Sequence, residues 1–170
     1  MTPITQPLRD EHRHLLPHIE HLRVAADAVG DAPADVVQQR AEESYEFLTQ
    51  HLIPHAQAEE RALYPVVGNV LGAPEATATM SRDHVEIGRL TEELGTLRTE
   101  ISGGRIEQTQ VEALRRVLYG LYTLVKVHFA KEEEVYLPLL DARLSPADAD
   151  GLFERMGHAA DEAKQQRTLT

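Results

Sequence analysis

Apolar residues recur at steps of three and four along most of the chain, and no long stretch alternates residue by residue. This spacing is typical of amphipathic helices. Glycine and proline interrupt it at four places, which are 30–33, 72–74, 103–104 and 145–146. From these interruptions we predict five helices, at about 4–29, 34–71, 75–102, 107–143 and 146–165.

The lengths and connections of these helices predict an all-α fold. The first four helices would each be about 40–55 Å long, and their short connections make neighbouring helices antiparallel. We therefore expect an up-down-up-down antiparallel four-helix bundle at 1–144. Ser145 and Pro146 are typical of the start of a further helix. We expect a short C-terminal capping helix and tail at 145–170, packed outside the bundle.

Three prolines fall inside the second and fourth predicted helices. Pro54 and Pro65 lie in the second helix, and Pro138 lies in the fourth. Each proline removes one hydrogen bond within its helix and clashes with the preceding turn, so each should bend its helix. We interpret both stretches as single kinked helices.

The apolar stripe that each of the first four helices would turn inward contains polar residues. The fourth stripe runs through Leu121, Val125, His128, Glu132 and Val135. The second stripe has the same pair, His55 and Glu59, and the first and third stripes contain His12 and His84. Burying these groups is costly unless they are paired. The stripes contain no lysine or arginine that could pair with the two glutamates, whereas a bound cation would compensate all six residues.

The chain also repeats itself. A shift of 72 residues superimposes Asp83-His84 on Glu11-His12, and a shift of 73 superimposes the segment 128–138 on 55–65. Each half therefore supplies one lone histidine and one HxxxE pair. The spacing of four places each histidine about 40° from its glutamate around the helix. Four imidazoles and two carboxylates with two-fold symmetry fit two metal ions better than one.

The ligand types restrict the metal. The chain has nine histidines, 28 acidic residues and no cysteine, so thiolate sites and disulfides are excluded. A site of nitrogen and oxygen ligands suits iron, manganese or zinc, and iron is favoured if the chemistry involves dioxygen.

The order His, HxxxE, His, HxxxE resembles that of the hemerythrin-like, or HHE cation-binding, family. The matching residues are His12, HAQAEERALYP at 55–65, His84, and HFAKEEEVYLP at 128–138. The combined motif is specific and covers roughly residues 5–140. The resemblance implies two non-haem iron ions with an oxo or hydroxo bridge, binding dioxygen, peroxide or nitric oxide. It transfers the family's metal ligands to six residues, which are His12, His55, Glu59, His84, His128 and Glu132.

The third helix departs from the pattern of the respiratory hemerythrins. Gly88 stands four residues after His84, so an HxxxH pair is absent. An iron ion with fewer imidazoles has an additional open position, which favours peroxide turnover or sensing over simple oxygen carriage. We therefore keep three hypotheses open: a catalase-like or peroxidase-like enzyme, a binding or sensing protein without turnover, and a structural bundle with incidental zinc.

Several neighbouring residues are candidates for supporting roles. Carboxylates commonly accept hydrogen bonds from ligand imidazoles, and four candidates for this role are Glu11, Glu60, Asp83 and Glu133. Tyr136 lies near enough to His128 for such a contact, whereas Tyr64 would turn inward only through the bend at Pro65. We expect core packing for both tyrosines, with a phenolate ligand as the alternative.

Three further histidines, His14, His18 and His21, share a helix face opposite His12. They could form a surface metal site or a subunit contact, although an ordinary polar face is the simpler interpretation. His51 lies one step off the core stripe and is a candidate for lining an entrance to the site.

Charge and composition limit the partners. Seventeen basic residues against 28 acidic ones give a formal charge of −11, which argues against nucleic acid binding. No apolar run is long enough to span a membrane, and the N-terminal residues lack the regions of a signal peptide. We expect a cytoplasmic monomer or small homo-oligomer that binds a small molecule.

Overall fold

The computed structural model describes residues 2–101 and 105–168, and this part of the chain forms five helices. Helix α1 is Gln6–Ala28, and helix α2 covers 34–71. A 3-10 turn at Pro74–Thr77 leads into helix α3, Ala78–Glu100. Helix α4 covers 108–143, and helix α5 is Pro146–Thr168.

The all-helical fold class predicted from the sequence is confirmed. The ends of the described helices differ from the predictions by a few residues, and Ser145 caps α5 by accepting a hydrogen bond from the backbone N–H of Asp148. The predicted end of the third helix at 102 and the glycines at 103–104 lie outside the described residues. The expectation of a short last helix is wrong, because α5 has 23 residues, as many as α1.

The prolines inside α2 and α4 do not end these helices. Each is preceded by a π-helical turn, and these turns are Leu48–Leu52, Glu59–Leu63 and Glu132–Tyr136. A π turn holds one extra residue and bonds the N–H of one residue to the carbonyl five positions earlier. The helix therefore continues through each proline with its side chains rotated.

The first four helices pack side by side. Helices α1 and α3 both contact α2 and α4. The polar contacts join early residues of one helix to late residues of another, as in the pairs Thr5–Asp141, Asp27–Tyr119, Glu60–Ser81 and Glu42–Arg98. Contacting helices therefore run in opposite directions within the α1–α4 and α2–α3 pairs.

Helix α5 lies against the middle of α2, in the region 53–63. Its buried residues form one apolar stripe, made up of Ala149, Leu152, Met156, Ala159 and Ala163. Leu152, Met156 and Ala159 extend the second of two apolar clusters among the described residues. The second cluster surrounds Leu63, Met80 and Leu137.

The first apolar cluster fills the other end of the four helices, around Leu22, Leu94 and Leu121. The buried histidines and glutamates of the core occupy the level between the two clusters, and the apolar residues at both ends shield them from solvent. In the part of the chain that the structure describes, no helix combines the length and apolar character needed to cross a membrane.

Candidate metal centre

The structure brings the six predicted ligand residues together in the core. Glu59 and Glu132 are fully buried, and the side chains of His12, His55 and His128 are 3% exposed or less. His84 is the most accessible of the six, at 8%. Buried carboxylates without basic partners are rare in proteins because their desolvation is costly.

The ligand atoms form two groups that could each hold a metal ion. One group contains His12, His55, Glu59 and Glu132, and the other contains Glu59, His84 and His128. Within each group, the ligand atoms all lie within 4.8 Å of one another. Glu59 belongs to both groups, so its carboxylate could bridge two ions.

The two oxygens of Glu59 face different groups. Oε1 lies 2.9 Å from Nε2 of His55, and Oε2 lies 3.2 Å from Nε2 of His84. Glu132 is divided in the same way, because Oε2 is 3.4 Å from Nε2 of His12 and Oε1 is 3.5 Å from Nε2 of His128. Both carboxylates therefore lie between a histidine of one group and a histidine of the other.

The unpaired atoms of this cluster match what metal ions require. Among the described residues, five inward-facing buried atoms have no hydrogen-bond partner: Nε2 of His12, Nε2 of His55, both oxygens of Glu59, and Oε2 of Glu132. Nε2 of His84 and Nε2 of His128 face each other at 2.9 Å. Neighbouring ligands on one ion are about 3 Å apart when each is about 2.1 Å from the metal. The residues present therefore fit metal ions in both number and spacing.

The outward nitrogen of every one of these histidines faces a carboxylate. Nδ1 of His12 lies 2.8 Å from Glu133, and Nδ1 of His84 lies 2.8 Å from Glu60. The corresponding contacts of the other two are 3.0 Å from His55 to Glu11 and 3.1 Å from His128 to Asp83. These contacts favour the tautomer that leaves Nε2 free to bind metal.

Electrostatics of the buried groups follow from these contacts. Burial alone would lower the pKa of His55, but the charges of Glu59 and Glu11 outweigh burial and hold it well above its usual value. Burial also opposes a raised pKa at His128, but the nearby carboxylates of Glu132 and Glu59 outweigh it and raise the pKa to about 10. The pKa of Glu59 is lowered despite its burial, because the surrounding imidazoles stabilise its charge. Without metal, the cluster therefore holds protons on imidazoles and none on Glu59.

Tyr64 enters the cluster because of the π turn at Glu59–Leu63. In a regular α-helix, residues five apart differ by about 140° in direction. Here the Tyr64 N–H bonds to the Glu59 carbonyl, so the two residues lie on the same side of α2, one turn apart. The Tyr64 hydroxyl donates to Glu132 at 3.0 Å and lies 3.3 Å from Nε2 of His128. The sequence interpretation that Tyr64 serves core packing is therefore incomplete.

The other tyrosine considered from the sequence does not reach the cluster. The Tyr136 hydroxyl donates to the backbone carbonyl of Ala76 at 3.1 Å, and the side chain packs against the second apolar cluster, as expected from the sequence. The π turn at Glu132–Tyr136 places Leu137 rather than Tyr136 on the side of Glu132. Leu137 is fully buried.

Phe129 is part of the site that the sequence analysis missed. Its ring stacks on His12 with centroids 4.2 Å apart, and it lies 5.6 Å from the ring of His55. Its only signal in the sequence is its position directly after His128. Phe129 covers the cluster on the side of α1 and α4.

The surface histidines lie apart from the cluster. His14, His18 and His21 are exposed, and within the described ranges none of them belongs to a group that could hold a metal ion. His18 instead stacks on Phe47. His51 lines a groove with His18 and His21, and none of the six predicted ligands lines this groove.

The five helices and the buried histidine–carboxylate cluster define an all-helical protein whose core could hold metal ions. Comparison with protein families matches residues 4–140 to the hemerythrin HHE cation binding domain. The chain therefore belongs to the hemerythrin HHE family, which confirms the resemblance found in its sequence and implies that it binds a cation, with iron as the metal the family suggests. No curated protein and no solved structure matches the chain.

Proposed function

We propose that the chain binds two iron ions through His12, His55, Glu59, His84, His128 and Glu132. This proposal rests on one observation. Five inward-facing buried nitrogen and oxygen atoms of these residues have no hydrogen-bond partner among the described residues. Two of the six residues are carboxylates without a buried lysine or arginine beside them. Two divalent cations would neutralise these charges and satisfy the unpaired atoms together.

Tyr64 completes the second group of ligands. His12, His55, Glu59 and Glu132 give the first ion four protein ligands, whereas the second group has only His84, His128 and Glu59. The Tyr64 hydroxyl lies within 3.4 Å of Nε2 of both histidines of this second group. We infer that its oxygen is the fourth protein ligand of the second ion.

The chain's own residues perform three tasks at this centre. The outer carboxylates of Glu11, Glu60, Asp83 and Glu133 orient the imidazoles. Phe129 and the apolar clusters above and below exclude water. Without metal, Tyr64 keeps its hydroxyl proton next to Glu132, because burial and the charges of Glu59 and Glu132 raise the pKa of the hydroxyl. That proton would be released when the Tyr64 oxygen binds a ferric ion.

Iron, when bound, supplies the reversible change of oxidation state that the protein side chains lack. We propose that the centre binds dioxygen, peroxide or nitric oxide, with decomposition of peroxide as the candidate reaction. Four protein ligands would leave room on an iron ion for a small ligand, which favours turnover or sensing. The domain of this function would be the up-down-up-down bundle at 1–144, with the helix and tail at 145–170 as its cap.

Elemental analysis tests the metal assignment. We expect two irons per chain in protein from iron-replete cells, and loss of stoichiometric iron in His55→Ala and in Glu132→Ala. His158→Ala is the matched control, because this histidine is exposed and its ion-pair partner is Glu154. Retention of two irons in both site variants would refute the assignment, and two zinc or manganese ions would refute the choice of iron.

Two further measurements test the chemistry. Release of oxygen from hydrogen peroxide by the iron-loaded protein would support turnover, whereas a reversible spectral change with dioxygen or nitric oxide and no oxygen release would support binding alone. A tyrosine bound to ferric iron gives a visible charge-transfer band. We expect that band in the wild type and its loss in Tyr64→Phe, and an unchanged spectrum in this variant would refute the role of Tyr64.

A further inference from the structure

The two halves of the chain carry the same ligands but differ in the residues beside them. The shifts that superimpose the metal-ligand motifs also pair Leu16 with Gly88 and Phe129 with Ala56. In both pairs, the larger residue borders His12 and the smaller one borders His84. The surroundings of the two lone histidines are therefore unequal.

This inequality appears as two grooves of different size. The groove between α1 and α4 has a cavity volume of about 340 Å³ and is lined by Leu16 and Phe129. The equivalent groove between α2 and α3 has a volume of about 600 Å³ and is lined by Ala56 and Gly88. A methyl group added at Gly88 would meet nothing within 4 Å. The groove beside His84 is the larger of this pair, and we call it the open groove.

The exposure of the ligands agrees with the groove volumes. The His84 side chain is 8% exposed and that of His12 is 3% exposed. Phe129 stacks on the ring of His12, whereas Ala56 at the equivalent position leaves the groove beside His84 unfilled. Tyr64 covers a face of the His84 ring from within the cluster.

The groove between α2 and α3 is larger than a diatomic gas or hydrogen peroxide requires, and its volume lies in the range of pockets that bind organic molecules. Its walls combine apolar Ile53 and Ile87 with the amide of Gln57. Its charged lining residues, Glu60 and Glu92, are both acidic. The opposite groove contains three basic residues and one acidic residue, which are Arg9, Arg13, Lys126 and Glu133. The open groove is thus unfavourable for anions.

We propose that the groove between α2 and α3 binds a small uncharged organic molecule of the size of an alkyl hydroperoxide, and that ligands reach the metal centre from this side only. The part of this inference that concerns access to the metal rests on the proposed function. Binding of an organic molecule in the groove does not require the metal. It extends the ligand class from diatomic gases and hydrogen peroxide to organic peroxides.

Binding in the groove is tested with two probes that share a tert-butyl group. Saturation-transfer NMR with tert-butyl alcohol should give a signal with the wild type and none with Gly88→Leu, which restores the bulk of Leu16 at the equivalent position. Pivalate, the anionic probe, should give no signal. The matched control is Gly157→Leu, since Gly157 is also helical and has open space around it. A tert-butyl alcohol signal that persists in Gly88→Leu, or an equal signal from pivalate, would overturn the proposal.

Access to the metal is tested by the association rate of nitric oxide with iron(II)-loaded protein, measured by stopped-flow absorbance. We expect Gly88→Leu to slow association by about tenfold or more and Gly157→Leu to leave it unchanged. If Gly88→Leu fails to fold by circular dichroism, Ala56→Phe copies the other difference between the halves. An unchanged rate of nitric oxide association in a folded groove variant that holds its full complement of iron would refute the access route. If the wild type does not bind two metal ions, the proposed function is refuted, but the NMR result on the groove still stands.

Discussion

The contact between Glu60 and His84 gives a sharp test of how the outer carboxylates support the metal centre. Oε1 of Glu60 lies 2.8 Å from Nδ1 of His84, and Oε2 accepts a hydrogen bond of 2.9 Å from Ser81. The substitution Glu60→Gln keeps the size of the side chain and removes its charge. The imidazole then loses the negative partner that strengthens its bond to a metal ion.

The size of the expected loss of metal affinity depends on how exposed the Glu60 carboxylate is. Removing such a partner typically lowers metal affinity by about 10–100-fold. The Glu60 side chain is 37% exposed, so solvent screens its charge and the lower end of the range applies. We expect about a tenfold loss, which corresponds to about 1.4 kcal/mol of binding free energy. The metal-free protein should change by less than about 1 kcal/mol, as for other exposed ion pairs.

Competition with a chelator of known affinity measures this loss directly. Glu134→Gln is the matched control, because it removes the same charge from an exposed residue outside the cluster. Ser81→Ala removes only the hydroxyl that anchors Glu60 and should have a smaller effect. Equal metal affinities for Glu60→Gln and Glu134→Gln would refute the idea that this carboxylate tunes His84.

Two further predictions concern protons and packing. The pKa of His128 is raised to about 10 and that of His55 is also raised, so metal uptake at pH 7 should release about two protons. Calorimetry in buffers of different ionisation enthalpy measures this proton release. Metal affinity should therefore increase with pH, whereas the metal-free protein should lose stability as pH rises from 6.5 towards 10. A metal affinity that falls with pH, or a metal-free protein that becomes more stable over this range, would contradict the prediction. Phe129→Ala should lower the free energy of unfolding by about 3–5 kcal/mol, and scanning calorimetry should show no comparable change for the exposed control Val127→Ala.

The six clustered residues could be predicted from the sequence because polar residues are easily recognised at positions where the pattern expects apolar ones. His55 and Glu59 stand where leucine or valine would otherwise be buried, and His128 and Glu132 stand at the same height of another helix. Since helices with short connections pack side by side, residues at equivalent heights must meet. No knowledge of side-chain conformation is needed for this inference.

The position of Tyr64 could not be predicted in this way, because a helical wheel assumes a constant 100° per residue. The π turn at Glu59–Leu63 breaks that assumption and turns Tyr64 towards Glu132. Proline at 65 signals a distortion, but the same signal is compatible with a bend, a break or a π turn. The geometry of the distortion decides which side chains face the core beyond it.

The length of α5 was underestimated for a different reason. The apolar stripe that packs on α2 ends at Ala163, so the periodic pattern stops there. The helix continues to Thr168 through residues with good helix propensity, such as Gln165 and Gln166. Hydrophobic periodicity records the buried part of a helix and gives no information about an exposed extension.

The repeat in the sequence explains both the symmetry of the ligands and the asymmetry of the site. A duplicated hairpin gives each half one lone histidine and one HxxxE pair, so each half supplies two imidazoles and one carboxylate to the cluster. The residues around the ligands differ between the two halves. At three equivalent positions, the residue on the side of α2 and α3 is smaller or more polar than the residue on the side of α1 and α4. These pairs are Gly88 and Leu16, Ala56 and Phe129, and Tyr64 and Leu137. Two ions held by nearly equivalent ligands would therefore have different surroundings. The ion near His84 would have a phenol and an open groove beside it, and the ion near His12 would have a stacked aromatic ring.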